Sequence, residues 1–161
     1  MVRLERLRAD HADALLAFER ENRAYFARTI PDRGDAYFEP DGFADRHQAL
    51  LTEQGLGTCH FHVLIDDEGR LIGRVNLVDV EDGSAELGYR IGENAAGKGV
   101  ATAAVGAVCG LAATAYALTE LTAVTTLDNL ASRAVLERNS FSPTGELMID
   151  GRPGIAYRRA L

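Results

Sequence analysis

One segment concentrates the residue types able to do chemistry: AELGYRIGENAAGKGVATAAV, residues 85–105. A strand ending at Ile91 feeds a glycine-rich turn, and the turn opens a helix. A helix start exposes backbone N–H groups with no partner inside the helix, and its dipole places partial positive charge there. Gly97 and Gly99 lack Cβ atoms, so an anion can approach those donors closely, and Lys98 adds charge at the mouth. Behind the turn, Ala101, Ala103, Ala104, Gly106, Ala107 and Gly110 let the helix axis lie close to a sheet. The physical reading is a phosphate or pyrophosphate cradle. Two readings compete with it. One is a tight strand-to-helix turn that binds nothing. The other is a P-loop, since residues 92–99 match G-x-x-x-x-G-K. Gly99, however, stands where Ser or Thr should hold magnesium, and no apolar strand ends in an aspartate to serve as a second ligand.

Other chemically capable residues give weaker signals. His60 and His62 share one face of a strand, a spacing that suits two metal ligands or the lining of an acceptor pocket, but no third ligand is evident and no metal is expected. Cys59 and Cys109 are far apart and form no zinc or redox spacing. Two buried free thiols in a reducing cytoplasm are expected. Lys98 is the only lysine beside sixteen arginines, which reads as codon bias. Glu81-Asp82 reads as a solvated turn.

The elements that must position these residues follow from length and pattern. A chain of 161 residues suits a single domain, 1–161, and 47% apolar residues provide a core. Seventeen basic against twenty-four acidic residues give a net charge of −7. That balance argues against nucleic acid and leans towards a cationic small molecule or basic peptide. No apolar run is long enough to span a membrane, and the charged start is no signal peptide, so a cytoplasmic location is expected. Residues 3–8 alternate as a short strand. Asp10 is placed to cap a helix, with Asp13 in capping-box position. Residues 22–40 read as a loop with a broken helix, and 42–53 as a helix ended by Gly55 and Gly57. Strands follow at 58–66, 71–80 and 84–91, with a turn at 67–69 and a hairpin signal at Asp82-Gly83. A long helix at 96–116, a strand at 121–127, a helix at 129–138 and a hairpin of 144–149 with 155–159 complete the chain. The order β–α–α–β–β–β–α–β–α–β–β gives an α+β class with a mixed, mostly antiparallel sheet flanked by helices.

Three stretches then resemble the GNAT superfamily of acetyl-CoA-dependent N-acetyltransferases, in particular the branch of ribosomal-protein N-terminal acetyltransferases. They are Arg3-Leu4-Glu5-Arg6-Leu7 with Asp13-Ala14; Glu86-Leu87-Gly88-Tyr89 followed by Gly97-Lys98-Gly99-Val100-Ala101-Thr102; and residues 129–138 followed by Phe141. The match runs in order along nearly the whole chain and is poorest over 22–56. Asn94 stands where the family's turn begins with Gln or Arg, and Ala103 where many relatives carry Glu. Ser140 replaces the glycine before Phe141, so Asn139 is expected to take the left-handed cap.

The resemblance implies a twisted sheet splayed between strands four and five, with acetyl-CoA as co-substrate. Pantetheine would pair with backbone near Tyr89 and Ile91. The pyrophosphate would rest on Gly97, Lys98, Gly99, Val100, Ala101 and Thr102, with Asn94 beside it. A backbone N–H of the fourth strand would face the acetyl carbonyl, and an amine would attack the thioester directly. Glu86 is the candidate base that takes the amine's proton. Ser132 resembles the family's serine near the thiol, and Tyr89 is an alternative donor to the thiolate. Asn129 would cap the last helix and touch CoA. Each of these side chains also has a purely structural reading: a paired carboxylate, a helix N3 serine, a core aromatic. Residues 22–56 would cover the acceptor site, with Tyr25, Phe26, Tyr37, Phe38 and Phe43 as pocket lining or core. The acceptor would be a protein N-terminus or a small-molecule amine, and a homodimer is common in such folds. A non-catalytic acyl-CoA-binding module on the same fold is the alternative.

Overall fold

The apolar alternation of the strands is answered by helices on both faces of one sheet. The computed structural model describes residues 2–161. Seven strands form the sheet: β1 (Arg3–Arg6), β2 (His60–Ile65), β3 (Leu71–Glu81), β4 (Ser84–Ile91), β5 (Glu120–Thr126), β6 (Ser142–Ile149) and β7 (Arg152–Ala160), in the order β1-β2-β3-β4-β5-β7-β6. Every neighbouring pair is antiparallel except β4 with β5. One face carries α5 (Val100–Ala113) and α6 (Leu130–Arg138) over a core of Val75, Leu77, Leu87, Val105, Val108, Leu121 and Tyr157. The other face is covered by α1 (Ala12–Glu21), α2 (Arg23–Ala27), α3 (Asp35–Phe38) and α4 (Pro40–Gly55), which enclose Leu15, Phe18, Phe43, Leu50, Phe61, Val63 and Ile65. Strand β2 is buried along its whole length because both faces are covered, which is why it reads as a continuous apolar run broken only by two histidines.

Several elements differ from the sequence expectations. Asp10 does not cap a helix: it lies inside a 3₁₀ turn, Ala9–His11, and accepts from Arg8 Nε at 3.0 Å. The Arg8 N–H is taken instead by His11 Nδ1 at 2.9 Å. Residues 22–40 form two short helices rather than one broken one. Helix α4 starts at Pro40, and a Cβ on Gly42 would stand 2.0 Å from the Ala36 carbonyl oxygen, so glycine is what lets α4 follow α3 so tightly. The long helix is trimmed at both ends, because Gly97 and Gly99 adopt positive φ (72° and 77°) and Tyr116 folds back on the sheet. Ser140, not Asn139, takes the left-handed conformation after α6 (φ 65°). The Asn139 amide instead donates to the carbonyls of Thr102 (3.1 Å) and Val135 (2.9 Å), tying α6 to the first turn of α5.

His60 and His62 do share a face, but it is the α5 face. His60 stacks on Tyr116 with ring centroids 3.7 Å apart, and His62 donates from Nδ1 to the Val75 carbonyl (3.0 Å) while Nε2 accepts from the Tyr116 hydroxyl. Burial pushes the His62 imidazole down to about 4, so it stays neutral in the core. Both rings are core residues and line no acceptor pocket. Cys59 and Cys109 are buried free thiols, as expected.

Candidate active site

Strands β4 and β5 pair only at Ser84, Ala85 and Glu86 against Glu120, Leu121 and Thr122. Beyond Glu86 the two part: β4 stays on β3 as far as Ile91, and β5 stays on β7 as far as Thr126. The backbone left in the gap can be assigned by alternation. Gly92 donates to the Ile72 carbonyl on β3 at 2.9 Å, so even-numbered residues of β4 turn their peptide groups to β3. Tyr89 and Ile91 therefore turn theirs towards the gap. An extended ligand with amide groups finds an open strand edge there.

The glycine turn stands at the end of this gap. Gly99 is the N-cap of α5, and no side chain caps the helix. A Cβ built on Gly97 or Gly99 would meet nothing within 4 Å, so the rim is open on its outer side. Uncapped N–H groups at a helix start, with glycine at the rim, form a seat for a diphosphate. Lys98 and Asn94 are exposed beside it. The turn is anchored from behind by Asn22 at the end of α1. Its Oδ1 accepts from the Glu93 N–H and its Nδ2 donates to the Phe18 carbonyl, both at 2.9 Å.

Three predicted side chains flank the gap. Asn129 accepts from the Ser132 N–H at 3.1 Å and so caps α6 as expected. The Ser132 side chain lies close to the Tyr89 phenol. Burial raises the Tyr89 phenol, and the neighbouring Ser132 side chain works the other way, so the group stays a neutral donor. Glu86 is on the opposite face, half-buried. Burial raises its carboxyl first and the nearby Asp79 carboxylate second. Asp79 reaches that position through a bulge in β3 that places it at φ 53°. A carboxylate with raised affinity for protons, at the point where the strands part, is suited to accept one.

The face that holds Glu86 carries a cleft not apparent from the chain's pattern. Along β4 the residues on this face are Glu86, Gly88 and Arg90, registered with Val78, Asn76 and Arg74 of β3. Gly88 leaves open space between its charged neighbours. A cavity of about 120 Å³ is lined by Arg33, Tyr37, Arg46, Leu50, Phe61, Arg74, Asn76 and Val78. A second, of about 580 Å³, shares Arg46, Phe61 and Val78 with it and adds Glu53, Asp79 and Glu81. The cleft is thus polarised, acidic towards Asp79 and basic towards Arg74. The overall charge of −7, which leaned towards a cationic ligand, is a poor guide to a surface that carries both signs. Of the five aromatic residues considered, Tyr37 lines the cavity, Phe26, Phe38 and Phe43 are core, and Tyr25 packs on Phe26. Sequence reasoning missed Asn22, Asp79 and the arginines of this cleft. Arg74 and Arg90 signalled only as polar residues at alternate positions of strands, which reads equally well as a solvated face, and Asn22, Arg33 and Arg46 lie in helices and loops with no pattern to mark them.

Comparison with known proteins agrees with this geometry. The profile of the family described as "Acetyltransferase (GNAT) domain" matches residues 2–142. The chain is 30% identical over 145 residues to a probable N-acetyltransferase, YjcK, of Bacillus subtilis (strain 168), covering 86% of this chain and 79% of that one. Its fold is similar to the ribosomal-protein-S5-alanine acetyltransferase from Vibrio fischeri (TM-score 0.92, 23% identity, 99% of this chain and 92% of that one). It is likewise similar to RimJ of Mycobacterium smegmatis in complex with CoA-disulfide (TM-score 0.88, 23% identity, 99% and 81%). The chain therefore belongs to the GNAT acetyltransferase family and is an acetyl-CoA-dependent N-acetyltransferase.

Proposed function

We propose that this enzyme acetylates the α-amino group of a peptide N-terminus, with Glu86 as base and the Tyr89–Ser132 pair as proton donor on the leaving side. The observation that carries the reading is the parting of β4 from β5 immediately after Glu86. The N-terminal acceptor is supported by the likeness to an enzyme named for a ribosomal-protein alanine and by an acceptor cleft that runs along the sheet. Two buried free thiols fit a cytoplasmic setting.

The residues present fit a CoA ester: uncapped N–H groups at Gly99–Thr102 for the diphosphate, and the open edge at Tyr89 and Ile91 for pantetheine amides. Acetyl-CoA supplies the activated acyl group and a thiolate leaving group. The chain's part is to bring the amine close, strip its proton and neutralise the departing charge. Glu86 holds the proton taken from the ammonium, directly or through water. A peptide N–H of β4 at the gap polarises the acyl carbonyl. The Tyr89 hydroxyl, oriented by Ser132, donates on the sulfur side. Release of free thiol from acetyl-CoA, measured with peptides, polyamines and amino acids at equal concentration, tests the acceptor. Peptides should be turned over with the highest kcat/KM, and a preference for polyamines would overturn the N-terminal assignment.

A further inference from the structure

Glu19 on α1 is buried and faces three arginines at once. Its Oε1 accepts from Arg74 Nη1 (3.1 Å) and Arg33 Nη2 (3.3 Å), and its Oε2 from Arg33 Nε (3.2 Å) and Arg90 Nη1 (3.3 Å). The Arg74 side chain is only 5% exposed, and that of Glu19 only 1%. Three buried or half-buried positive charges against one carboxylate leave an excess that burial makes costly unless another anion arrives. Burial and repulsion from Arg33 hold Arg90 down to about 10, still charged at neutral pH, while burial alone would raise Glu19 and its three partners outweigh it to keep it ionised. Aromatic faces take up part of the charge: Arg33 lies 4.7 Å from the Tyr37 ring centre and Arg90 5.0 Å from that of Phe26.

Stacking occupies the faces of the guanidinium groups and leaves their edges for in-plane acceptors. The bonds of Arg74 to Glu19 and to the Tyr37 hydroxyl both run through Nη1, and those of Arg33 to Glu19 through Nε and Nη2. That leaves Nη2 of Arg74 and Nη1 of Arg33 for a further acceptor. Both residues line the smaller cavity, together with Arg46, and no carboxylate lines it. Arg33 is held in place by its neighbours, since Arg23 binds Asp32 (2.8 Å) and Asp35 (2.7 Å) on either side of it. In the same wall, Asn76 keeps a buried Oδ1 without a hydrogen-bond partner, an acceptor that suits a peptide N–H of the ligand and not the anion itself.

We propose that the acceptor carries an anion, a carboxylate or a phosphate group, and that Arg33 and Arg74 hold it while the amine meets Glu86. The spacing follows from the strand. Arg90, registered with Arg74, is four residues from Glu86 on the same face, roughly 13 Å along a strand. Subtracting a hydrogen-bond length at each end leaves roughly 7 Å between amine and anion. An acidic side chain at the second position of a peptide spans that distance. This inference rests on the N-terminal acceptor reading and narrows it.

The test separates the two. With the CoA-bound protein, calorimetry measures the Kd of Ala-Glu-Ala-amide, Ala-phosphoserine-Ala-amide and Ala-Gln-Ala-amide, and a thiol-release assay measures their turnover. One or both acidic peptides should bind at least about tenfold more tightly than the neutral one, and which of them does so identifies the anion. In Arg33→Gln, chosen because Arg33 is the more exposed of the pair, that preference should shrink towards unity, and Arg33→Lys should restore part of it. Equal Kd values for all three peptides in the wild type, or a preference untouched in Arg33→Gln, overturn the anion site whatever the turnover shows. Tight binding of an acidic peptide without any thiol release overturns the acceptor reading and supports the anion site.

Discussion

The cradle at the head of α5 and the cleft over β3 both present positive charge to a ligand, but they are built in opposite ways. The cradle is backbone. Its donors are consecutive peptide N–H groups at Gly99 to Thr102, left open because nothing caps the helix. The cleft is side chain. Its charges come from helix α4 and from the loop at Arg33 and strands β3 and β4, the last three gathered around a carboxylate on α1 that lies 71 positions from Arg90 in the chain. A backbone site tolerates changes such as Asn94 or Ala103, because peptide groups do not change with the side chain. It does not tolerate a new Cβ or charge at the rim. A side-chain site has the opposite tolerance, and its specificity is free to change from one relative to the next.

The sharpest way to break the comparison is at Gly99. Gly99→Asp puts a carboxylate at the rim in a left-handed backbone position (φ 77°), and CoA binding should weaken by about a thousandfold or more, since an attractive site becomes a repulsive one. Gly99→Asn carries the same backbone strain without charge and should lose far less by calorimetry; equal losses would mean that strain, not charge, dominates. Next comes Glu86→Gln, for which steady-state kinetics should show kcat lower by about a hundredfold with CoA affinity intact, the usual scale for losing a general base. An unimpaired variant would leave water as the base. Ser132→Ala should then lower kcat about tenfold without weakening CoA binding, because the Tyr89 hydroxyl remains but loses its orienting partner. A fully active Ser132→Ala would remove the pair from the mechanism.

The smallest effect concerns pH. Burial and then Asp79 raise the Glu86 carboxyl, and the base must be ionised to work. Activity is therefore full above that raised pKa and falls as pH drops through it. Asp79→Asn removes the like charge, lowers the Glu86 pKa and should move the acid limb of the kcat/KM profile to lower pH, by only part of the full shift given that burial is the larger cause. A limb that stays in place would assign it to another group.

Much of the fold was legible in the chain because it rests on short-range rules. The Asp82-Gly83 hairpin takes positive φ at both residues (50° and 78°), as that pair favours. Asn129 caps α6 through a bond three residues away. Boundaries were less legible where tertiary contacts decide them. The left-handed residue moved to Ser140 because the Asn139 side chain is engaged by α5. The helix cap expected at Asp10 gave way to His11, whose ring meets Glu5, six residues back, at 3.0 Å, in a turn whose Arg8 carbonyl is held by His47 of α4 at 3.1 Å.

The amino-acid sequence by itself determined the cradle. Glycine, lysine and an alanine-rich helix following a strand act within about ten residues, and backbone donors at a helix start need no distant partner. It also determined the sheet's antiparallel meander and the candidates Glu86, Tyr89 and Ser132. Only the tertiary structure decided that β4 and β5 part after Glu86, and that Arg33, Arg74 and Arg90 converge on Glu19. The reason is that an arginine on a strand reads as solvent-facing until a helix covers it. Which helix covers it is set by the packing of the whole sheet face, not by any local pattern.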